Sequence, residues 1–171
     1  TGLKVADLGT GSGAILVGFL YYCRDAVGVG VDISTEALKI AEENGQNLKI
    51  TDRVEWRQGD YLKAFDEEDI FDGIFSNPPY IPTKDIGGLS REVKHEPRLA
   101  LDGGTDGLYF YHLLAKGAGE HLKPGGFLAV EFGIGQATDI LEMFRKSAQY
   151  EDFEVIKDYG GIERALYCRK K

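Results

Sequence analysis

Three acidic residues, a glycine run and a proline-rich segment carry the chemistry open to this sequence. The run Asp7-Leu8-Gly9-Thr10-Gly11-Ser12-Gly13-Ala14 follows an apolar stretch and precedes another. Glycines there let the backbone turn sharply and approach a ligand with no side chain in the way. A helix starting after the run would aim its free N–H groups at an anionic part of that ligand. Asp32 closes a second apolar stretch, where a carboxylate can accept hydrogen bonds from two ribose hydroxyls. Asp60 is expected at the end of a third strand, in reach of an adenine amino group. With their neighbours Ile33 and Tyr61 they make, with Asp7, Gly9, Thr10, Gly11, Gly13 and Asn77, a candidate cofactor-binding set. Two other readings fit the glycines alone: a dinucleotide fingerprint with Ala14 in the third glycine position, or a tight turn with no ligand. Asp7 favours a cofactor that carries an ammonium group, as the methionine part of S-adenosyl-L-methionine does. A carboxylate beside the loop would repel a pyrophosphate.

The second feature is Ser76-Asn77-Pro78-Pro79-Tyr80-Ile81-Pro82. Proline has no N–H and pushes the residue before it into an extended conformation, so the segment offers rigid carbonyl acceptors and few donors. Asn77 adds a side-chain acceptor, and Tyr80 a flat surface for stacking. Such a set suits a planar nitrogen bearing two hydrogens. Accepting both, at the Asn77 side-chain oxygen and the Pro78 carbonyl, would hold the nitrogen in line for attack and favour the positive charge that develops on it. A rigid turn with Tyr80 as a packing residue is the bland alternative.

The elements that must position these residues alternate. Residues 3–8, 27–32, 53–58 and 71–76 read as short buried strands, with a buried helix around residues 15–20 and another capped by Ser34 that turns Ala37, Ile40 and Ala41 to one face. A third helix is expected to open at Thr105, with Leu108, Tyr111, Ala115 and Ala118 at helical spacing. The turn Lys123-Pro124-Gly125-Gly126 should end it and lead into a strand at 127–132. A helix on Ala137, Ile140, Leu141 and Phe144 follows, then strands at 153–157 and 165–169 with no room for a crossover between them. This predicts an α/β fold: a mostly parallel sheet covered on both faces, closed by an antiparallel hairpin. Residues 80–104 show no periodic element, a length of connection that inside a compact domain is usually functional.

The 171 residues fit one domain, and no apolar run is long enough to span a bilayer. A formal charge of −8, with scattered Lys and Arg and one basic cluster at Arg169-Lys170-Lys171, argues against nucleic acid as a direct substrate. Cys23 and Cys168 have no metal spacing and read as buried thiols of a reducing compartment; nothing spaces His95, His112 and His121 as metal ligands.

With these residues in place, the sequence is similar to the class I S-adenosylmethionine-dependent methyltransferases. More narrowly, it resembles the protein-(glutamine-N5) methyltransferases that modify peptide-chain release factors, the PrmC/HemK family. The glycine run and the 76–81 segment match the family's cofactor loop and substrate-amide motif. Leu89-Ser90-Arg91-Glu92-Val93, Glu96-Pro97, Ala100-Leu101, Gly103-Gly104-Thr105-Asp106-Gly107-Leu108 with Tyr111, and Glu131-Phe132-Gly133 with Gln136 follow in the family's order. Glu163 stands where an Asp is common, and His95 where an apolar or aromatic residue is expected. The resemblance implies a seven-stranded Rossmann-like sheet and S-adenosyl-L-methionine as methyl donor, with S-adenosyl-L-homocysteine as product. It implies catalysis by Asn77, Pro78 and Tyr80, and contact with a release factor through Asn77, Pro78, Pro79, Tyr80, Glu92 and Glu96, in the cytoplasm. The family carries a small helical substrate-binding domain ahead of this core, so residues 1–171 are expected to be the catalytic domain alone. Transfer to an exocyclic amino group of adenine or cytosine, or cofactor binding without catalysis, are the alternatives.

Overall fold

The computed structural model describes residues 2–89 and 97–171. Its elements in chain order are β1 (Lys4–Leu8), α1 (Ala14–Tyr22), β2 (Val27–Asp32), α2 (Thr35–Asn47), β3 (Val54–Gln58), β4 (Phe71–Ser76), α3 (Tyr109–Gly117), β5 (Leu122–Glu131), α4 (Ala137–Lys146), β6 (Tyr150–Lys157) and β7 (Glu163–Lys170). The strands form one seven-stranded sheet in the order β3-β2-β1-β4-β5-β7-β6. β1 to β5 run parallel, whereas β7 is antiparallel to both β5 and β6. The closing hairpin is therefore as expected, with its second strand inserted next to β5.

The central strands bury both faces, which is why their middles are mostly apolar or glycine, with Asp7 of β1 the buried exception. On one face Leu16, Val17 and Leu20 of α1 pack with Val5, Ala26 and Ile50. On the other, Tyr111 and Leu114 of α3 and Ile140 and Phe144 of α4 join Ala6, Leu8, Val31, Ile74 and Val130 in the larger cluster. Glycine at Gly30 is a packing requirement, since a Cβ there would meet the Trp56 ring at 2.3 Å. Ser34 caps α2 as expected, its hydroxyl accepting from the Ala37 amide.

Several boundaries differ from the sequence reading. The third helix starts at Tyr109 and not at Thr105, because Gly104 and Gly107 take left-handed φ values of +87° and +78°. The Asp106 carboxylate meanwhile accepts from the Leu108 amide and closes a turn there. The 123–126 turn lies within β5: Leu122 pairs with Phe71 and Phe127 with Gly73, so the residues between bulge out. β3 stops at Gln58, leaving Asp60 beyond it at the head of the short 3-10 turn Tyr61–Ala64. α1 is not buried all round, for Tyr22 is 83% exposed. Ile40 of α2 is 51% exposed, so it belongs to the surface and not to the core. Cys168 is buried, but Cys23 at the end of α1 is only half-buried. The long connection also has structure: 3-10 turns at Thr83–Gly88 and Arg98–Ala100, and a parallel bridge between Ile81 and Asp102 that closes its base. Among the described residues no helix is long and apolar enough to cross a membrane.

Candidate active site

Register places the site. Leu8 of β1 pairs with Val31 on one side and Ser76 on the other, so Gly9, Asp32 and Asn77 each lie one residue past the same line, Asp32 as the last residue of β2. The strand order reverses between β1 and β4, and the crevice outside such a reversal is where open α/β sheets bind ligands. Ser76 fixes the two departing loops to each other, its buried hydroxyl donating to the Leu8 carbonyl at 2.8 Å.

Gly9, Gly11 and Gly13 all have positive φ, between +55° and +77°, a region that other residues enter only with strain. The three differ in what surrounds them. A Cβ on Gly9 would come within 2.7 Å of the Tyr61 hydroxyl, and one on Gly13 within 3.0 Å of Ala41 and Trp56. A Cβ on Gly11 would project into open space, which is the cavity itself. Asp32 holds the loop down: one carboxylate oxygen accepts from the Gly11 amide at 2.8 Å, the other from Ser34 at 2.9 Å. Each oxygen keeps a further acceptor position for a ligand.

Two adjoining cavities of about 420 and 450 Å³ share Gly9, Gly11, Ser12, Asn77 and Ala100 as their common wall. The first is lined by Asp32, Ile33, Asp60, Tyr61 and Phe110, with Ala37 and Ile40 of α2 at its side. Tyr61 stacks on Phe110 at 4.5 Å between ring centres and holds an unfavourable φ of +50°. Burial first, and then the charge of Asp32, push its phenol well above the usual range, so it stays a neutral donor. The second cavity is lined by Thr10, Pro78, Tyr80, Ile81 and Leu101. Asn77 is thus the one member of the proline segment that reaches both spaces, with Pro79 on the first and Pro78 and Tyr80 on the second.

Asp7 and Gly13 line neither cavity. Asp7 sits behind the glycine loop at 1% exposure, one oxygen accepting from the Thr10 hydroxyl at 2.7 Å and the other without a partner. Burial pushes its carboxyl up to about 6 against the lowering effect of the Thr10 bond, and nearby Asp32 adds to the rise. Asp60 is exposed and engaged by Lys63. Glu92, Glu96 and His95 lie outside the described residues.

Residues without an assigned role in the sequence reading complete the site. Pro79 and Tyr80 are packed against three glycines, two from the connection before α3 and one from the β5–α4 turn. Added Cβ atoms would meet the Pro79 carbonyl at 2.8 Å from Gly103, the Tyr80 carbonyl at 2.4 Å from Gly107 and the Tyr80 ring at 2.8 Å from Gly133. Gln136 donates to the Tyr80 carbonyl at 3.1 Å and accepts from the Gly133 amide at 2.8 Å. Asp102 accepts from Thr83, Gly104 and Arg98 and so secures the base of the long connection. A cluster of glycines after an active segment is a readable signal, but which backbone they admit is not.

The described lining of the first cavity includes Asp32, Glu36 and Asp60 and no Lys or Arg. This lining fits a nucleoside ligand with positive charge and disfavours a pyrophosphate. The fold and this crevice are those of a class I, Rossmann-like methyltransferase, and residues 1–149 match the methyltransferase domain family, to which the chain belongs. Among curated proteins it is similar to the release factor glutamine methyltransferase of Moorella thermoacetica, at 41% identity over 167 residues covering 98% of this chain and 59% of the relative. The release factor glutamine methyltransferase of Bradyrhizobium diazoefficiens is 46% identical over 168 residues, covering 98% of this chain and 56% of the relative. The chain therefore spans less than two thirds of the length of these relatives. A methyltransferase from Pyrococcus furiosus shares the fold, with a TM-score of 0.74 and 23% identity over 99% of this chain and 75% of that one.

Proposed function

We propose that residues 1–171 form a catalytic domain that transfers a methyl group to the side-chain amide nitrogen of a glutamine in a peptide-chain release factor. The single observation that carries this reading is the position of Asn77 on the wall between two cavities, one lined by Asp32, Glu36 and Asp60, the other bounded by Pro78 and Tyr80. The likeness to curated release factor glutamine methyltransferases supports a release factor as the substrate. S-adenosyl-L-methionine, when bound, would supply an electrophilic methyl group, its S–CH3 bond breaking as the N–CH3 bond forms to give S-adenosyl-L-homocysteine, and the surplus amide proton, acidic once the nitrogen is methylated, would pass to solvent.

This chain's residues do the remainder. Asp32 accepts from the ribose while keeping Gly11 in place, and Asp60 and Tyr61 border the base. The carbonyl of Pro78 and the side-chain oxygen of Asn77 accept the two amide hydrogens of the glutamine, and Tyr80 flanks its plane. An amide nitrogen is a weak nucleophile because its lone pair is delocalised. Two acceptors fixed by proline geometry favour the positive charge that grows on it, and no water has to reorganise during the step. Alignment of nitrogen with methyl adds a further entropic gain, with roughly 7–11 kcal/mol as the ceiling for ideal cases. A release factor substrate puts the reaction in the cytoplasm.

Labelled S-adenosyl-L-methionine, incubated with the protein and in parallel with a release factor, an adenine-bearing DNA and a transfer RNA, tests the proposal. Label is expected in the release factor alone. Label in either nucleic acid and none in the release factor would transfer the chemistry to a base amino group and overturn the assignment.

A further inference from the structure

We propose that Gln136 is a positioning residue for the transfer step, its side-chain amide holding the 77–80 segment at the wall between the two cavities. The inference rests on the reading of that segment as the acceptor of the substrate amide.

Gln136 stands at the head of α4, far in sequence from the segment it touches. Its amide nitrogen donates to the carbonyls of Tyr80 at 3.1 Å and Gly107 at 3.3 Å, and its oxygen accepts from the Gly133 amide at 2.8 Å. One end of the group faces two acceptors and the other a donor, so only a carboxamide, in one orientation, satisfies all three. The Gln136 amide returns a bond to the Gly133 carbonyl at 3.2 Å, which locks the turn that carries the side chain. That same turn supports the Tyr80 ring, because Gly133 has no Cβ to keep it off. Residue 80 is thereby gripped at both carbonyl and ring by the β5–α4 turn.

The grip matters because of what the prolines remove. Pro78 and Pro79 have no N–H to bond to neighbouring backbone, so their placement is set by their ends. At the near end, Ser76 is bonded to Leu8; at the far end, the amide of Ile81 donates to Leu101 at 3.1 Å. Between these anchors, Gln136 supplies the bond to residue 80. Without it the Pro78 carbonyl and the Asn77 side chain have lost a support on their C-terminal side, whereas the glycine loop and Asp32, which Gln136 does not touch, keep theirs.

Two variants separate positioning from mere stability. Glu at 136 keeps an acceptor for Gly133 but replaces the donor by a carboxylate facing two carbonyls; Met keeps the length and removes both functions. Q136E and Q136M are expected to lower kcat by about 10- to 100-fold, the scale of a sub-ångström to ångström misplacement of a reacting group. The Kd for S-adenosyl-L-methionine should stay within about twofold, as that cavity is built without Gln136. Amide exchange at Ile81 and Gly103 should quicken in both variants. Unchanged kcat in a folded variant, well below its Tm, would overturn the proposal. If the wild type leaves a release factor unmodified, the function assigned above fails, and the exchange measurement still decides whether Gln136 holds the segment. Should neither variant fold, NMR of the wild type decides. Slow exchange of the Gln136 side-chain NH2 protons supports the clamp, and exchange at the rate of an exposed glutamine refutes it.

Discussion

Carboxylates at the two ends of the β1–β4 pair live in opposite surroundings. Where the strands begin, Asp72 accepts from the Lys123 ammonium and from the Lys4 amide, both at 2.7 Å, and these hold its carboxyl below the usual range. Next to it, burial works against ionisation of Asp69, yet the Arg57 guanidinium and the Asp66 amide outweigh that and keep its carboxyl low. Where the strands end, Asp7 is more deeply buried and, among the described residues, has no cation, only the Thr10 hydroxyl and the Leu16 backbone to favour its charge, and its carboxyl rises to about 6. Asp32 beside it relies on two backbone amides. The same residue type thus secures the fold through cations at one end and, among the described residues, lies without one behind the glycine loop at the other. Buried charge without a partner is costly, so its presence near a cavity points to function.

The largest effect is expected from Asn77→Ala. Turnover should fall by about 10²–10³, as for the loss of one preorganised transition-state interaction, while cofactor affinity changes little. Near-normal turnover at saturating substrate would remove Asn77 from the transfer step. At the other end of the sheet, Asp69→Ala leaves Arg57, itself only a quarter exposed, without its main partner. A loss of about 3 kcal/mol in urea unfolding is expected, with S-adenosyl-L-methionine binding intact in the folded variant. Equal loss of binding would show that the two ends are not separable.

Asp32→Ala should weaken S-adenosyl-L-methionine by roughly 1.5–3 kcal/mol in a calorimetric titration, the range for hydrogen bonds to a charged group. Because Asp32 also holds Gly11, part of that loss comes through the loop, and Asp32→Asn should lose less. Asp7→Asn carries the smallest effect and the most telling sign. The Asp7 carboxyl has a higher pKa in the folded state, about 6, than its ordinary 3.8, so the native protein binds more protons across that window. Its contribution is complete below 3.8 and is lost as pH rises through about 6, so stability falls with pH there. Removing the buried charge should therefore stabilise the ligand-free protein near neutral pH by on the order of 1–2 kcal/mol, and weaken cofactor binding. A wild type and variant with parallel pH–stability curves between pH 4 and about 7 would contradict the unpaired state of Asp7.

Much of this was legible from the residues alone, for reasons tied to range. The glycine run and the 76–82 segment are contiguous, and their meaning comes from local backbone chemistry, so their types announce them. Asp32 and Asn77 were locatable because each ends an apolar strand, and parallel register then brings them together. The seat beneath Tyr80 was not legible, since Gln136 is 56 residues away and its contact depends on how β5 packs beside β4. Phe110 escaped notice for the same reason: helical spacing does not reveal that its ring stacks on Tyr61. The late start of α3 had a visible signal in Gly104 and Gly107, outvoted by apolar periodicity. Asp7 was assigned a place in the cofactor set, but nothing in its position after an apolar run tells that it lies behind the loop.

The central claim is that two acceptors, the Asn77 side-chain oxygen and the Pro78 carbonyl, select an amide nitrogen. After reaction of the protein with S-adenosyl-L-methionine and a release factor, peptide fragmentation can place the added methyl on a single atom. The account predicts it on the side-chain nitrogen of the glutamine in the Gly-Gly-Gln motif, with none in a substrate whose glutamine is replaced by glutamate. A methyl on a carboxylate, a lysine or a backbone nitrogen would contradict it.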